Sequence, residues 1–264
     1  MLRGESTRQK LPLAEIINEP RAPQHLFLSK KNERKLKKVL DRLFNLCYNK
    51  YVIKRAVALQ RKETKKMRTI NHFQNEILMI KDDTLRNMVY GYMAEATPDY
   101  FWEDGASSSG KYHPQFSQGK GGLVRHTKAV VMFADELLRM SSYAYMREIY
   151  KDYVIAACII HDTAKYGMVD FDKAEYKNHA RNAADAFEVY CMEHGYMVSE
   201  LLTGAVAAHM GQWSTDKDDR PFTSIDRCVH MADYMASRAF IDIPCITEEY
   251  ESVEAMCDNG DLPF

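Results

Sequence analysis

Val154-Ile155-Ala156-Ala157-Cys158-Ile159-Ile160-His161-Asp162 is the stretch on which the chain's architecture turns. Seven apolar residues in a row belong in an interior. The run nevertheless closes on an imidazole and a carboxylate, two groups whose burial costs several kcal/mol unless they are paired or bound to a cation. Alone, the pair fits a hydrogen-bonded helix cap as well as a metal site. Outward from it, His126, His179, His209 and Asp233 fall at helix-compatible distances. Neutral imidazoles with carboxylates are the ligand set of a divalent transition metal, so the pair is read as the centre of such a site.

The surrounding pattern is helical. Leu36, Val39, Leu40, Leu43, Phe44 and Cys47 make one apolar stripe from about Lys31, and further helical stretches are expected near 51–67 and 70–95. Asp104 to Gly110 is a flexible connection by composition, and Pro114 to Gly122 is irregular and glycine-bearing. Helices are then expected at about 122–140, 147–163, 178–194, 198–210 and 223–239, with Asn178 and Thr223 as N-caps. No strand ladder or repeat emerges. The expected fold is all-α, a helical bundle with a basic, mostly helical N-terminal extension. Its expected divisions are 1–97, 98–240 and an acidic tail at 241–264.

Composition narrows the class. With 46% hydrophobic and 28% charged residues, the 264-residue chain is globular rather than disordered. No apolar stretch approaches the roughly 18 residues of a membrane span, and Met1 to Glu5 lacks the apolar core of a signal peptide, so a cytoplasmic protein without membrane partners is expected. The six cysteines form no C-x-x-C pair and read as buried free thiols. A net charge of −1 hides a split: residues 1–70 hold 19 Lys/Arg against 6 Asp/Glu, and the remainder is correspondingly acidic. A basic segment of this kind contacts a polyanion such as nucleic acid, or docks on an acidic surface of its own chain or of a second subunit in a homo-oligomer.

His126, His161, Asp162 and Asp233 come from different helices, which a bundle can aim at one point. Two His and two Asp suit a divalent metal ion, with Mn, Fe, Co, Ni or Mg as candidates. His179 and His209 offer imidazoles for a second ion, with Asp162 as the bridge. Paired ions about 3.5–4 Å apart suit phosphoester cleavage.

The series His126, His161-Asp162, His179, His209, Asp233 resembles the HD-domain superfamily of metal-dependent phosphohydrolases. Gly121-Gly122-Leu123-Val124-Arg125-His126-Thr127 is similar to the G-G-L-x-x-H-T opening of the HD domain in YhaM-type 3′–5′ exoribonucleases. Ile160 to Lys165 is similar to its H-D-I-G-K step, Ala207 to Gln212 to its S-H-H-G segment, and Pro221 with Cys228 to Asp233 to its closing helix. The resemblance covers residues 98–240. It implies His126, His161, Asp162 and Asp233 as ligands of a first ion, and His179 and His209 at a second ion or the phosphate pocket. It also implies that Lys165 contacts a substrate phosphate, with Asp162 and Lys165 in catalysis and a metal-activated water attacking phosphorus. Met210 stands where the family usually has a second histidine, and the family's N-terminal nucleic-acid-binding barrel has no counterpart in the basic helices here.

Among nearby aromatics, Tyr166 and Trp213 are the candidates to stack on a base, and His113 could reach the pocket mouth. His230, three residues before Asp233, could orient a ligand, and His194 before Gly195 reads as a helix C-terminus. The expected activity is that of a phosphodiesterase or nuclease on a nucleotide or single-stranded nucleic acid. The alternatives are a small-molecule nucleotidase or nucleoside triphosphate hydrolase, and a regulatory protein that keeps the scaffold without turnover.

Overall fold

The computed structural model describes residues 70–107, 113–168 and 173–259, all within one compact unit. The helices expected near 31–47 and 51–67, and nearly all of the basic segment, lie outside the described residues. Among the described residues the regular structure is entirely helical. α1 spans Gln74–Leu78, α2 Asp83–Glu95, α3 Asp99–Glu103, α4 Gly122–Arg139 and α5 Glu148–Ile160. α6 spans His179–Glu193, α7 Glu200–Ala208, α8 Ser224–Ala236 and α9 Pro244–Asn259. Short 3-10 turns at Asn71–Phe73, Gln115–Ser117, Lys173–Lys177 and Gly211–Trp213 connect them. No helix among these is long and apolar enough to cross a membrane.

The apolar run is the axis of the bundle. Residues 154–160 of α5 are all buried, because α4, α7 and α8 pack around that helix and against one another. A helix apolar on all sides needs neighbours on all sides. α4 is amphipathic by contrast, turning Leu123, Val124, Val130, Val131, Ala134 and Leu137 inward. α6 packs on α7, and α2 covers α5. Cys158, Cys191 and Cys228 are buried free thiols as expected, whereas Cys245 is exposed.

The stretch at 70–95 is not one helix. Asp82 adopts an extended conformation and its carboxylate accepts from Leu85 N at 2.8 Å, an N-cap that starts α2 afresh. Asp152, buried in α5, accepts from the backbone N–H of Lys81 at 3.1 Å and of Asp82 at 2.9 Å, so the break is pinned from the far side of the core.

The acidic C-terminal segment is a packed helix. α9 lies against α4 and buries Ile246 and Tyr250. Its Glu249 and Glu254 meet Lys128 at 3.2 Å and His72 at 2.9 Å. Lys128 is itself buried, donating to Glu76 at 2.6 Å and to the His72 carbonyl at 2.7 Å. Paired in this way, an ammonium is tolerated in the interior.

Candidate metal centre

Each of the six expected His and Asp residues sits at or near the end of a bundle helix facing α5's C-terminus, except Asp233, which lies late in α8. His126 is in the first turns of α4, whose entry is set by two glycines. Gly121 holds φ +66°, and a Cβ on Gly122 would sit 2.3 Å from the Ser117 carbonyl oxygen. Gly121 N and Leu123 N donate to the carbonyls of Glu103 and Asp104, tying that entry to α3. His161 caps α5, His179 opens α6 and His209 caps α7. Thr223 and Asp226 form a capping box that starts α8. Asn178, at the N-cap position of α6, makes no side-chain cap bond.

The imidazoles are oriented by the backbone. His161, His179 and His209 each donate Nδ1–H to the carbonyl three residues back, of Cys158 at 2.7 Å, Tyr176 at 2.6 Å and Val206 at 2.8 Å. That bond fixes the tautomer and leaves each Nε2 as a lone-pair donor aimed inward. His161 Nε2 then lies 3.4 Å from His126 Nε2, and His179 Nε2 lies 3.0 Å from His209 Nε2. Lone pairs converging at such distances beside two carboxylates are a surplus of acceptors, the donor set a divalent cation satisfies.

Asp162 divides the cluster. Its Oδ2 lies 3.8 Å from His126 Nε2 and 3.6 Å from His161 Nε2, and Asp233 Oδ1 adds contacts of 3.1 Å to His126 and 3.9 Å to His161. Its Oδ1 lies 3.1 Å from His179 Nε2 and 3.8 Å from His209 Nε2. Two groups, His126/His161/Asp162 and Asp162/His179/His209, could therefore each hold an ion. All five of these residues are buried. His179 and His209 are thus both interior groups, each spending Nδ1–H on a backbone carbonyl and turning Nε2 toward Asp162 Oδ1.

Burial also sets the charge states. It pushes His161 down and His209 down to about 3, with neighbouring imidazoles adding to the shift at His209. Both are neutral near pH 7, the form that ligates a metal. Burial alone would raise the Asp162 carboxyl, but the Lys165 ammonium beside it holds it well below the usual carboxylate range. Asp233 is likewise lowered against its desolvation, chiefly by His126. Lys165 is buried and donates to Asp162 Oδ2 at 2.5 Å, and that carboxylate outweighs desolvation to raise its pKa.

The centre opens into a cleft of about 590 Å³. His113 lines it, with its ring centroid 5.4 Å from that of His126, and burial lowers its pKa to about 3. Trp213 lines it too, whereas Tyr166 does not. Two turns past α5 the Tyr166 ring is buried against Tyr100 at 5.6 Å. His230 donates Nδ1–H to the His209 carbonyl at 2.7 Å, so it braces the second group rather than Asp233. His194 caps α6 and bonds the Tyr190 carbonyl.

Sequence reasoning missed Tyr176, Lys177, Tyr234 and Arg238, which also line the cleft. Tyr176 stacks on His179 at 5.1 Å and lies 5.9 Å from the Lys165 ammonium. It comes from a 3-10 turn that carries no periodic signal. Arg238 follows Tyr234 at i,i+4, a spacing that could have flagged the pair.

The family model described as HD domain matches residues 123–238, a segment containing all six His and Asp residues and Lys165. It supports the HD-domain superfamily for that segment. No curated protein and no solved structure gives a significant match to the chain.

Proposed function

We propose that this chain is a metal-dependent phosphohydrolase cleaving a phosphoester of a nucleotide or nucleic acid. The observation that carries the proposal is Asp162, whose two oxygens face two separate pairs of imidazoles, His126 with His161 and His179 with His209. His126, His161, Asp162 and Asp233 would hold one divalent ion, and Asp162, His179 and His209 a second. Ions in such a site acidify a coordinated water to a pKa of roughly 7 and neutralise charge on the phosphoryl oxygens. The remaining work falls to the protein. Backbone carbonyls hold His161, His179 and His209 in register and Asp233 meets His126, while Lys165, Lys177 and Arg238 supply positive charge to the phosphate from the centre and the cleft wall. Lys165 reaches a phosphate oxygen by exchanging its contact with Asp162 Oδ2.

The wording of the motifs supports a phosphodiesterase or nuclease-like activity, with the basic first 70 residues guiding a polyanion in the cytoplasm. A second reading, a small-molecule nucleotidase, is favoured by the cleft volume, which lies within the range of roughly 300–1,000 Å³ for small-ligand sites. Elemental analysis of the purified protein tests the proposal. It is run beside a hydrolysis screen of mono-, di- and cyclic nucleotides and short oligonucleotides with Mn²⁺, Co²⁺, Ni²⁺, Mg²⁺ or Fe²⁺. Asp162→Ala should lose both the metal and turnover; full activity in that variant would sink the proposal.

A further inference from the structure

We infer that Trp213, Tyr234 and Arg238 form a platform for a nucleobase beside the metal centre, an assignment that rests on the phosphohydrolase reading for its phosphate end only. A single exposed aromatic residue needs no explanation. Here three π-systems share one wall of the cleft. The Trp213 and Tyr234 rings lie 7° from parallel with centroids 5.9 Å apart, and the Arg238 guanidinium sits 4.1 Å over the Tyr234 ring. Trp213 is 51% exposed and Tyr234 37%. A ring inserted between two others needs about 3.5 Å on each side, so the pair offers an outer face for one base and no slot between.

The platform is tied rigidly to the ligands. Tyr234 directly follows Asp233 on α8, and Trp213 follows His209 by four residues. Gly211 makes that tight return possible, with φ +60° and a Cβ position 2.1 Å from the His230 ring. Arg238 decides what the rings take. Aromatic walls also capture quaternary ammonium groups, but a guanidinium over Tyr234, with Lys177 lining the same cleft, repels a cation. It favours a planar, electron-rich ring carrying a phosphate.

The chain has two tryptophans, and Trp102 is buried, so Trp213 reports the cleft. The full chain is titrated with AMP, ribose 5-phosphate and a short oligoadenylate, followed by tryptophan fluorescence and calorimetry. AMP should change the emission saturably, while ribose 5-phosphate should bind more weakly and leave it unmoved. Trp213→Ala should weaken AMP binding about tenfold and shrink its preference over ribose 5-phosphate in proportion, with Tyr234→Leu acting in the same direction. An oligoadenylate that binds more tightly than AMP marks a strand as the source of the base, and the reverse order marks a free nucleotide. Either order supports the platform. It is overturned if AMP leaves the parent chain's emission unchanged, or if Trp213→Ala keeps the full AMP preference. An intact AMP response in a chain that hydrolyses none of the mono-, di- and cyclic nucleotides and oligonucleotides with added metal refutes the phosphohydrolase reading alone, whereas hydrolysis without base preference refutes the platform alone.

Discussion

Replacing Asp162 with Asn separates what the carboxylate does for the fold from what it does for an ion. The side chain is 2% exposed and Lys165 is 4% exposed, with 2.5 Å between Oδ2 and Nζ. The amide keeps the shape and leaves a buried ammonium without its closest counter-charge. Breaking one partner out of a buried pair costs about 3–5 kcal/mol. The lysine can escape by losing its proton, which at pH 7 costs about 4.6 kcal/mol from an ordinary pKa of about 10.4, so the penalty is capped near 5. At about 2–4 °C per kcal/mol for a chain of this size, Asp162→Asn should melt about 6–20 °C below the parent in chelator. Asp162→Asn with Lys165→Met removes both charges and should recover most of that loss, since replacing a buried pair outright is near neutral. Mn²⁺ at a hundred times its dissociation constant should stabilise the parent by about 2.7 kcal/mol and do far less for either variant. Thermal melts with and without Mn²⁺, paired with elemental analysis, read both effects. A single variant that melts with the parent in chelator, or one that keeps the full Mn²⁺ shift, refutes the pairing or the bridging role respectively.

Gly122→Ala places a methyl 2.3 Å from the Ser117 carbonyl and 2.8 Å from Gly105 Cα. Backbone must move, at about 1–3 kcal/mol, and His126 moves one turn on; a lower melting temperature with weaker metal retention is expected, and parent-like values for both would count against the entry geometry. His72 is buried on the Tyr250 ring at 4.6 Å, and burial lowers its pKa from 6.5. The unfolded chain therefore takes up that proton first as pH falls below 6.5, so stability declines from there down through the folded value. His72→Phe, which keeps the stack, should flatten that limb in melts run across the window; an unchanged slope would show that His72 titrates freely. His230→Phe removes the donor to the His209 carbonyl and should weaken one of two ion-binding steps about tenfold, seen by calorimetry as a change in a single step.

The residues that could be read from sequence are those whose chemistry clashes with their surroundings. His161 and Asp162 close an apolar run, and His209 follows Gly204-Ala205-Val206-Ala207-Ala208; a polar group at such a place asks for a partner whatever the tertiary structure. The helices carrying them were readable for the same local reason, since α4 to α8 each place apolar residues at helical spacing. Charged groups whose partners lie far along the chain gave no such signal. Lys128 looks like a solvated residue of α4 and Glu249 like part of an acidic tail, yet each is ordered by the other across more than a hundred residues. Asp152 looks like an exposed interruption of α5, and it is the acceptor that ends the helix before α2.

Proximity along the chain misled for a related reason. Tyr166 adjoins Lys165, but beyond α5 the chain turns through Gly167, at φ +91°, and the Tyr100 hydroxyl accepts from Tyr166 N at 3.0 Å, holding that ring in the core. Tyr234 adjoins Asp233 on an unbroken helix, where neighbouring side chains diverge by about 100°. Asp233 points to the imidazoles, so the next residue emerges at the edge of the same opening. Tyr234 therefore reaches the cleft because α8 continues through its ligand, whereas Tyr166 lies past the end of α5 at His161, where the bond to Tyr100 and not the helix sets its direction.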